Sequence, residues 1–229
     1  IGAKWLATYH DSSLREQMEF YIEPAEQTDE VKSKLAEITP TSLNPEELTL
    51  MDPACGSGHI LVEAYNIFRA IYLEQGYQRS EIPELILTKN LYGLDICPRA
   101  AQLATFSLLM KGREDDRRLL ERNVKINAIA LSDSIYLEEE YLSDELSKSH
   151  NIKAGFGEVS ELKQLFKNTK TTGSLIQIPK NLNAFLPLLK KQNESINKNI
   201  FLLQNQNHIK ELARQCEILS MKFDFVIAN

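Results

Sequence analysis

The sequence predicts an α/β fold built on a doubly wound, Rossmann-like parallel sheet. Three observations lead there. From Leu48 onward, short apolar runs alternate with longer amphipathic stretches, the order that successive β-α-β units impose. The first apolar run empties into a turn containing Gly56 and Gly58, residues that let a chain turn sharply into a helix. The second run ends at an acid, Asp95, and Pro98 then stands where a helix would begin; its fixed φ and missing N–H are harmless in a first helical turn.

The elements follow in order. Residues 1–45 read as a helical, acidic segment: Leu14, Met18 and Ile22 recur every four residues and mark one face of a helix over Leu14–Ile22. Leu48–Met51 is the first strand. His59 to about Gln75 is a helix with Ile60, Ala64, Ile67 and Ile71 along one side and Gly76 as its terminator. Leu91–Ile96 is the second strand, and the helix from Pro98 runs to about Leu109 or beyond. Lys125–Leu131 is the third strand, followed by Ser132, Asp133 and Ser134, and Phe223–Ala228 is the fourth. The roughly ninety residues between the last two strands exceed any simple crossover, and they hold helices over Val159–Phe166 and about Phe201–Ser220. The expected division is a helical N-terminal segment (1–45), a Rossmann-like half (46–140), a helical insertion (141–221) and a strand (222–229) that ends an incomplete sheet.

Composition excludes several classes. Cys55, Cys97 and Cys216 are an odd, scattered set without CxxC spacing, which argues against a zinc cluster and a secreted disulfide framework. No metal site is expected. No apolar run approaches the roughly 20 residues of a membrane span, and no signal peptide opens the chain, so a cytoplasmic protein without membrane contact is expected. The net charge of −6 is unevenly spread: residues 1–50 carry 4 basic and 10 acidic side chains, whereas residues 141–229 carry 12 and 8. Only that last third is suited to phosphates. The chain starts at Ile1 without Met and ends at Asn229, and is expected to be a piece of a longer polypeptide.

The most specific signal is Asp52-Pro53-Ala54-Cys55-Gly56-Ser57-Gly58 between the first strand and its helix. Glycines let a ligand approach main-chain atoms that a Cβ would shield, and the helix behind them offers unpaired N–H groups. The strand-end acid can hold an ammonium group. This combination suits the amino-acid end of S-adenosylmethionine. A P-loop would need Gly-Lys-Ser/Thr, but His59 and Ile60 follow Gly58; a dinucleotide loop would need a third small residue where Leu61 stands. Asp95 closes the second strand where such folds place an acceptor for ribose hydroxyls, or else it caps the helix that follows. Asp133 can accept from an adenine amine, or act as a turn or capping acid. Cys55 has no identifiable activating His and is read as a small residue packed beneath the loop.

DPACGSG, then LYGLDICPRAAQLA, then FDFVIAN resemble the amino-methyltransferases that modify adenine N6 in DNA. The likeness is greatest to large single-chain enzymes of bacterial restriction-modification and phage-exclusion systems, and it extends to GSLIQIPKNL. The resemblance implies an S-adenosylmethionine-dependent enzyme acting on double-stranded DNA, with defence-system or restriction subunits as partners. It assigns donor binding to residues 52–58, Asp95, Ile96, Asp133 and Ser134. Asn229 is the catalytic residue it implies, the first of an Asn-Pro-Pro-aromatic motif whose remainder lies beyond the chain. Without that remainder, the 229-residue chain is expected to bind donor weakly and not to methylate DNA. Three alternatives stay open: an RNA or protein amino-methyltransferase, a non-catalytic subunit with a vestigial donor site, and a dehydrogenase.

Overall fold

The computed structural model describes residues 1–18, 21–22, 25–134, 156–182 and 200–229. The expected insertion over 141–221 therefore lies in part, at 141–155 and 183–199, outside the described residues. In chain order the elements are helices α1 (Gly2–Thr8), α2 (Leu14–Gln17) and α3 (Asp29–Ile38), then strand β1 (Leu50–Asp52) and helices α4 (His59–Glu74) and α5 (Ile82–Leu85). Next come β2 (Leu91–Asp95), α6 (Pro98–Arg113), β3 (Asn127–Ala130), α7 (Phe156–Leu165), α8 (Thr169–Thr172), α9 (Ile200–Ser220) and β4 (Phe225–Val226).

The four strands form one sheet in the order β3-β2-β1-β4. β1 pairs in parallel with β2 through Leu50↔Leu91, Met51↔Tyr92 and Asp52↔Gly93, and in parallel with β4 through Leu50↔Phe225 and Met51↔Val226. The chain thus moves outward from β1 to β3 and then returns to the other side of β1. That reversal makes the β1/β4 boundary the switch point of a doubly wound sheet. All three residues of β1 are buried, as a strand covered on both faces requires.

Two compact units divide the chain: Ile1–Gly93 with Ala100–Ala128 and Phe223–Asn229, and Leu94–Arg99 with Ile129–Lys222. The first has its core around α4, whose buried residues are Leu61, Ala64, Tyr65, Phe68, Ile71 and Tyr72. The buried face is therefore rotated from the expected Ile60–Ala64–Ile67–Ile71 line. The aromatic side chains of Tyr65, Phe68 and Tyr72 have more apolar area to bury and take the core, while Ile60 and Ile67 line a cavity of about 290 Å³ with Leu50 and Ile227. Gly76, at φ 81, ends α4 as expected. Gly76 N–H donates to Leu73 O and Tyr77 N–H to Tyr72 O, and the Tyr77 ring meets Tyr72 edge-on at 4.9 Å, a Schellman closure with its hydrophobic contact.

The expected helix over Leu14–Ile22 is shorter than its four-residue repeat suggested. It stops at Gln17, Met18 is extended, and Ile22 is 88% exposed. Residues Glu19 and Phe20 lie outside the described set. Met18 leaves the helix to fill the space beside Gly2, where an added Cβ would collide with the Met18 Sδ. Glu74, at the end of α4, accepts from Ser12 Oγ at 2.7 Å, from Ser13 Oγ and N–H at 3.1 Å, and from Trp5 Nε1 at 3.4 Å. This one carboxylate ties the N-terminal segment to α4.

In the second unit, Leu131, Leu162, Phe166, Leu182, Leu212 and Cys216 are buried. Among the described residues, no helix is long and apolar enough to cross a membrane.

Candidate functional site

The glycine turn is set by the strand end that feeds it. Asp52, 1% exposed, closes β1 and accepts Ala54 N–H on Oδ1 at 3.1 Å, so the carboxylate braces its own loop as an Asx-turn. Gly58 N–H donates to Cys55 O at 2.8 Å. Gly56 and Gly58 have φ of 52° and 87°, in the left-handed region that favours glycine. Gly58 is the N-cap of α4, and no side chain caps that terminus. The first-turn N–H groups of such a helix favour partial or full negative charge.

Gly56 and Gly58 differ in their surroundings. A Cβ on Gly58 would stand 3.0 Å from both Cα and Cβ of Ala104 on α6, whereas a Cβ on Gly56 would meet nothing within 4 Å. One glycine permits close helix packing; the other has open space where a side chain would stand. Pro53, Gly56 and Ser57 are half-buried and Ala54 exposed. Cys55 is buried, as the reading of a small packing residue had it, and its Sγ lies 3.1 Å from where a Gly93 Cβ would be.

Gly93 is a site-supporting residue that the sequence reading missed. A Cβ there would also meet Leu61 Cδ1 at 2.8 Å, so the bare strand lets β2 run directly over the glycine turn. A glycine inside a strand run was the available signal, since it commonly marks close approach of another part of the chain.

Asn229 is exposed and lies three residues beyond Val226, the partner of Met51, with Ile227 N–H donating to Met51 O at 2.9 Å. Asp52 follows Met51 directly. The glycine turn and Asn229 are thus carried at the same ends of two adjacent parallel strands, within one compact unit. Asp224 fixes the register between them and was also missed. Its Oδ2 accepts Thr49 N–H at 3.0 Å and Thr49 Oγ1 at 3.2 Å, and its Oδ1 accepts Lys4 Nζ at 2.7 Å. Burial pushes the Asp224 carboxyl up, but the hydrogen bonds from Lys4 and Thr49 outweigh it and hold the group below its ordinary value.

The second unit holds Asp95, Ile96, Asp133 and Ser134. Asp95 ends β2 and accepts Cys97 N–H on Oδ1 at 2.7 Å, one residue before α6, so one of its oxygens braces the turn into that helix as an Asx-turn. Asp133 Oδ1 accepts Thr169 N–H at 2.8 Å, the first residue of α8. Ser134 is buried; its N–H donates to Phe166 O at 3.0 Å and its Oγ to Lys163 O at 2.5 Å. A carboxylate has about four acceptor sites, so the bond to Thr169 leaves Asp133 acceptor capacity. The Ser134 hydroxyl proton is committed.

Size alone does not mark this site. A larger cavity, about 720 Å³, lies among α1, α3 and the residues near Tyr21, with Leu6, Arg15 and Leu35 in its lining, and holds none of the strand-end residues. Among the described residues no group of three or more His, Cys, Asp or Glu side chains is arranged to hold a metal.

Two family models match the chain: MmeI, DNA-methyltransferase domain, over residues 25–139, and Eco57I restriction-modification methylase over residues 89–229. The chain is 42% identical over 251 aligned residues to adenine-specific methyltransferase BrxX of Escherichia coli O9:H4 (strain HS), and 29% identical over 242 to adenine-specific methyltransferase PglX of Lacticaseibacillus casei (strain Zhang). Both alignments take in the whole of this chain but only 21% and 20% of the relative. The chain therefore spans about a fifth of the length of the curated relatives it matches. The second model alone covers more than half of the chain, from β2 through α6 to the Asn229 that ends β4's extension, and on that match the chain belongs to the Eco57I restriction-modification methylase family.

Proposed function

We propose that this chain is the donor-binding part of a DNA adenine-N6 methyltransferase, in which S-adenosylmethionine is the donor and the amine of an adenine in double-stranded DNA the acceptor. The activity belongs to the whole protein, of which the relatives' lengths make this chain a part. Family membership implies a methyl donor; the names of BrxX and PglX as adenine-specific methyltransferases support adenine as acceptor. The family's restriction-modification description supports a role in restriction-modification or phage defence, and the cytoplasm is the compartment proposed for it.

One observation carries the reading: the Asp52–Gly58 turn and Asn229 emerge at the carboxyl ends of neighbouring strands at the switch point of the sheet. Ligands of open α/β sheets bind in the crevice outside that point. The residues present fit the donor. Gly56 offers backbone with open space above it, and the uncapped start of α4 suits a carboxylate. Asp52 balances the donor's ammonium charge; for the adenosine end, the family resemblance implies that Asp95 accepts from the ribose hydroxyls, Ile96 offers an apolar surface, and Asp133 accepts from the adenine amine beside Ser134.

When bound, S-adenosylmethionine supplies a methyl carbon on a positively charged sulfur, which departs with the electron pair of the broken C–S bond as a neutral thioether. The target adenine must leave the base stack for its amine to be reached. The Asn229 carboxamide oxygen accepts an N–H from that amine and so directs the nitrogen lone pair at the methyl carbon, and the surplus amine proton passes to solvent. Positioning and a preorganised acceptor carry the rate.

The test uses the full-length protein, duplex DNA and donor labelled in the methyl group. Transfer to adenine N6 is expected, and Asn229→Ala should lower it roughly a thousandfold or more while donor affinity stays within about twofold. Undiminished transfer by that variant would overturn the assignment.

A further inference from the structure

The strand that carries Asn229 is poorly fixed by its own packing. β4 has two ladder residues and stands last in the strand order. Phe225 is half-buried, but Val226 is 63% and Ile227 41% exposed, and Ile227 borders the 290 Å³ cavity beside α4. Phe223, Phe225 and Ile227 alternate along the strand, so a slip of two residues would exchange one large apolar side chain for another on the same face. Hydrophobic pattern specifies register only where such a slip is penalised. The slip would carry Asn229 about 7 Å along β1, whereas reacting groups must meet at about 3–3.5 Å.

Asp224 supplies what packing does not. Thr49 N–H and Oγ1 donate to its Oδ2 at 3.0 and 3.2 Å, and Asp224 N–H donates back to Thr49 Oγ1 at 3.1 Å. Lys4 Nζ on α1 donates to Oδ1 at 2.7 Å and lies 5.5 Å from the centre of the Phe225 ring. These reciprocal bonds exist in one register only. The ladder follows from there, with Phe225 N–H donating to Thr49 O at 3.0 Å and Ile227 N–H to Met51 O at 2.9 Å.

We infer that Asp224 is a positioning residue for methyl transfer, holding β4 through Thr49 and Lys4 in the register that sets Asn229 beside the glycine turn. The inference rests on the role proposed above for Asn229. Asp224 stands five residues before Asn229 and acts through the strand, touching neither donor nor adenine.

The experiment uses the full-length protein, duplex DNA and methyl-labelled donor, with kcat expressed per donor site counted by calorimetry, so that loss of folded protein does not count as loss of rate. Asp224→Ala is expected to lower kcat roughly tenfold to a hundredfold with donor Kd within about twofold. Asp224→Asn, which keeps an acceptor for Thr49, should lose less. In an Asn229→Ala background Asp224→Ala should cost nothing further, because residues that act as a unit are not additive. Wild-type kcat per donor site in Asp224→Ala overturns the inference, and so do losses that multiply in the double variant. Should Asp224→Ala fail to fold, Asp224→Asn and Lys4→Met carry the test, and wild-type kcat in both overturns it. Undiminished transfer by Asn229→Ala alone overturns instead the role proposed for Asn229.

Discussion

Gly56 and Gly58 both hold a positive φ, yet a methyl group would act differently at each. At Gly58 it would add left-handed strain to a 3.0 Å approach to the backbone and side chain of Ala104. Gly58→Ala should therefore cost about 2 kcal/mol or more, read as a fall of several degrees in the melting temperature. At Gly56 only the conformational strain applies, about 1–2 kcal/mol, because nothing lies within 4 Å of the added atom. There the methyl occupies the space proposed for the donor, so Gly56→Ala should lose more donor affinity than stability. Calorimetry on both variants checks the contrast; a Gly56→Ala protein that binds donor as tightly as wild type would remove the turn from the site. The motif showed that two glycines were needed. Their separate reasons were not legible, because Ala104 lies 46 residues away in sequence and only the packing of α6 brings it to Gly58.

Among the elements, β4 is anchored by a side chain just outside its ladder. Its paired core is Phe225–Val226, and Asp224 immediately before it binds Thr49 and Lys4. The folded Asp224 group titrates below its ordinary value of 3.8, so its contribution is present in full above that pH and is lost as pH falls through the lower folded value. Stability should be flat through neutrality and decline below about pH 4, less steeply in Asp224→Ala, which should itself cost on the order of 1 kcal/mol at neutral pH. Equal acid profiles for the two proteins in denaturant titrations would show that the anchor is idle. Lys4 makes the bond on a side chain 38% exposed, so salt should weaken that part and spare the Thr49 N–H bond. The four strands were legible in order from their apolar runs, each longer in sequence than in the structure. At β4, Phe223–Ala228 looks continuous, but Asp224 spends its acceptors on Thr49 and the ladder begins only at Phe225. Likewise Leu14, Met18 and Ile22 share a spacing that local sequence reads as one helix face; the vacancy beside Gly2, which draws Met18 out of the helix, is a tertiary fact.

For the whole molecule, the strand order β3-β2-β1-β4 decides where function sits. The switch point between β1 and β4 puts the glycine turn and Asn229 at one edge, although 171 residues separate Gly58 from Asn229 in sequence. A cavity of about 720 Å³ argues for another place, around α1 and α3, lined by Leu6, His10, Arg15 and Lys32. Chemistry favours the edge, because an acid, Asp52, ends β1 there, and a donor carrying positive charge is drawn to it. Hydrogen exchange of the full-length protein with and without S-adenosylmethionine separates the two places. A ligand stabilises what it binds by mass action, so amides it orders should exchange more slowly once donor exceeds its Kd. Slowing is expected over residues 53–61, with α3 unaffected. Slowing confined to α1 and α3 would put the donor in the large cavity and leave the strand-end acids as loop braces and helix caps.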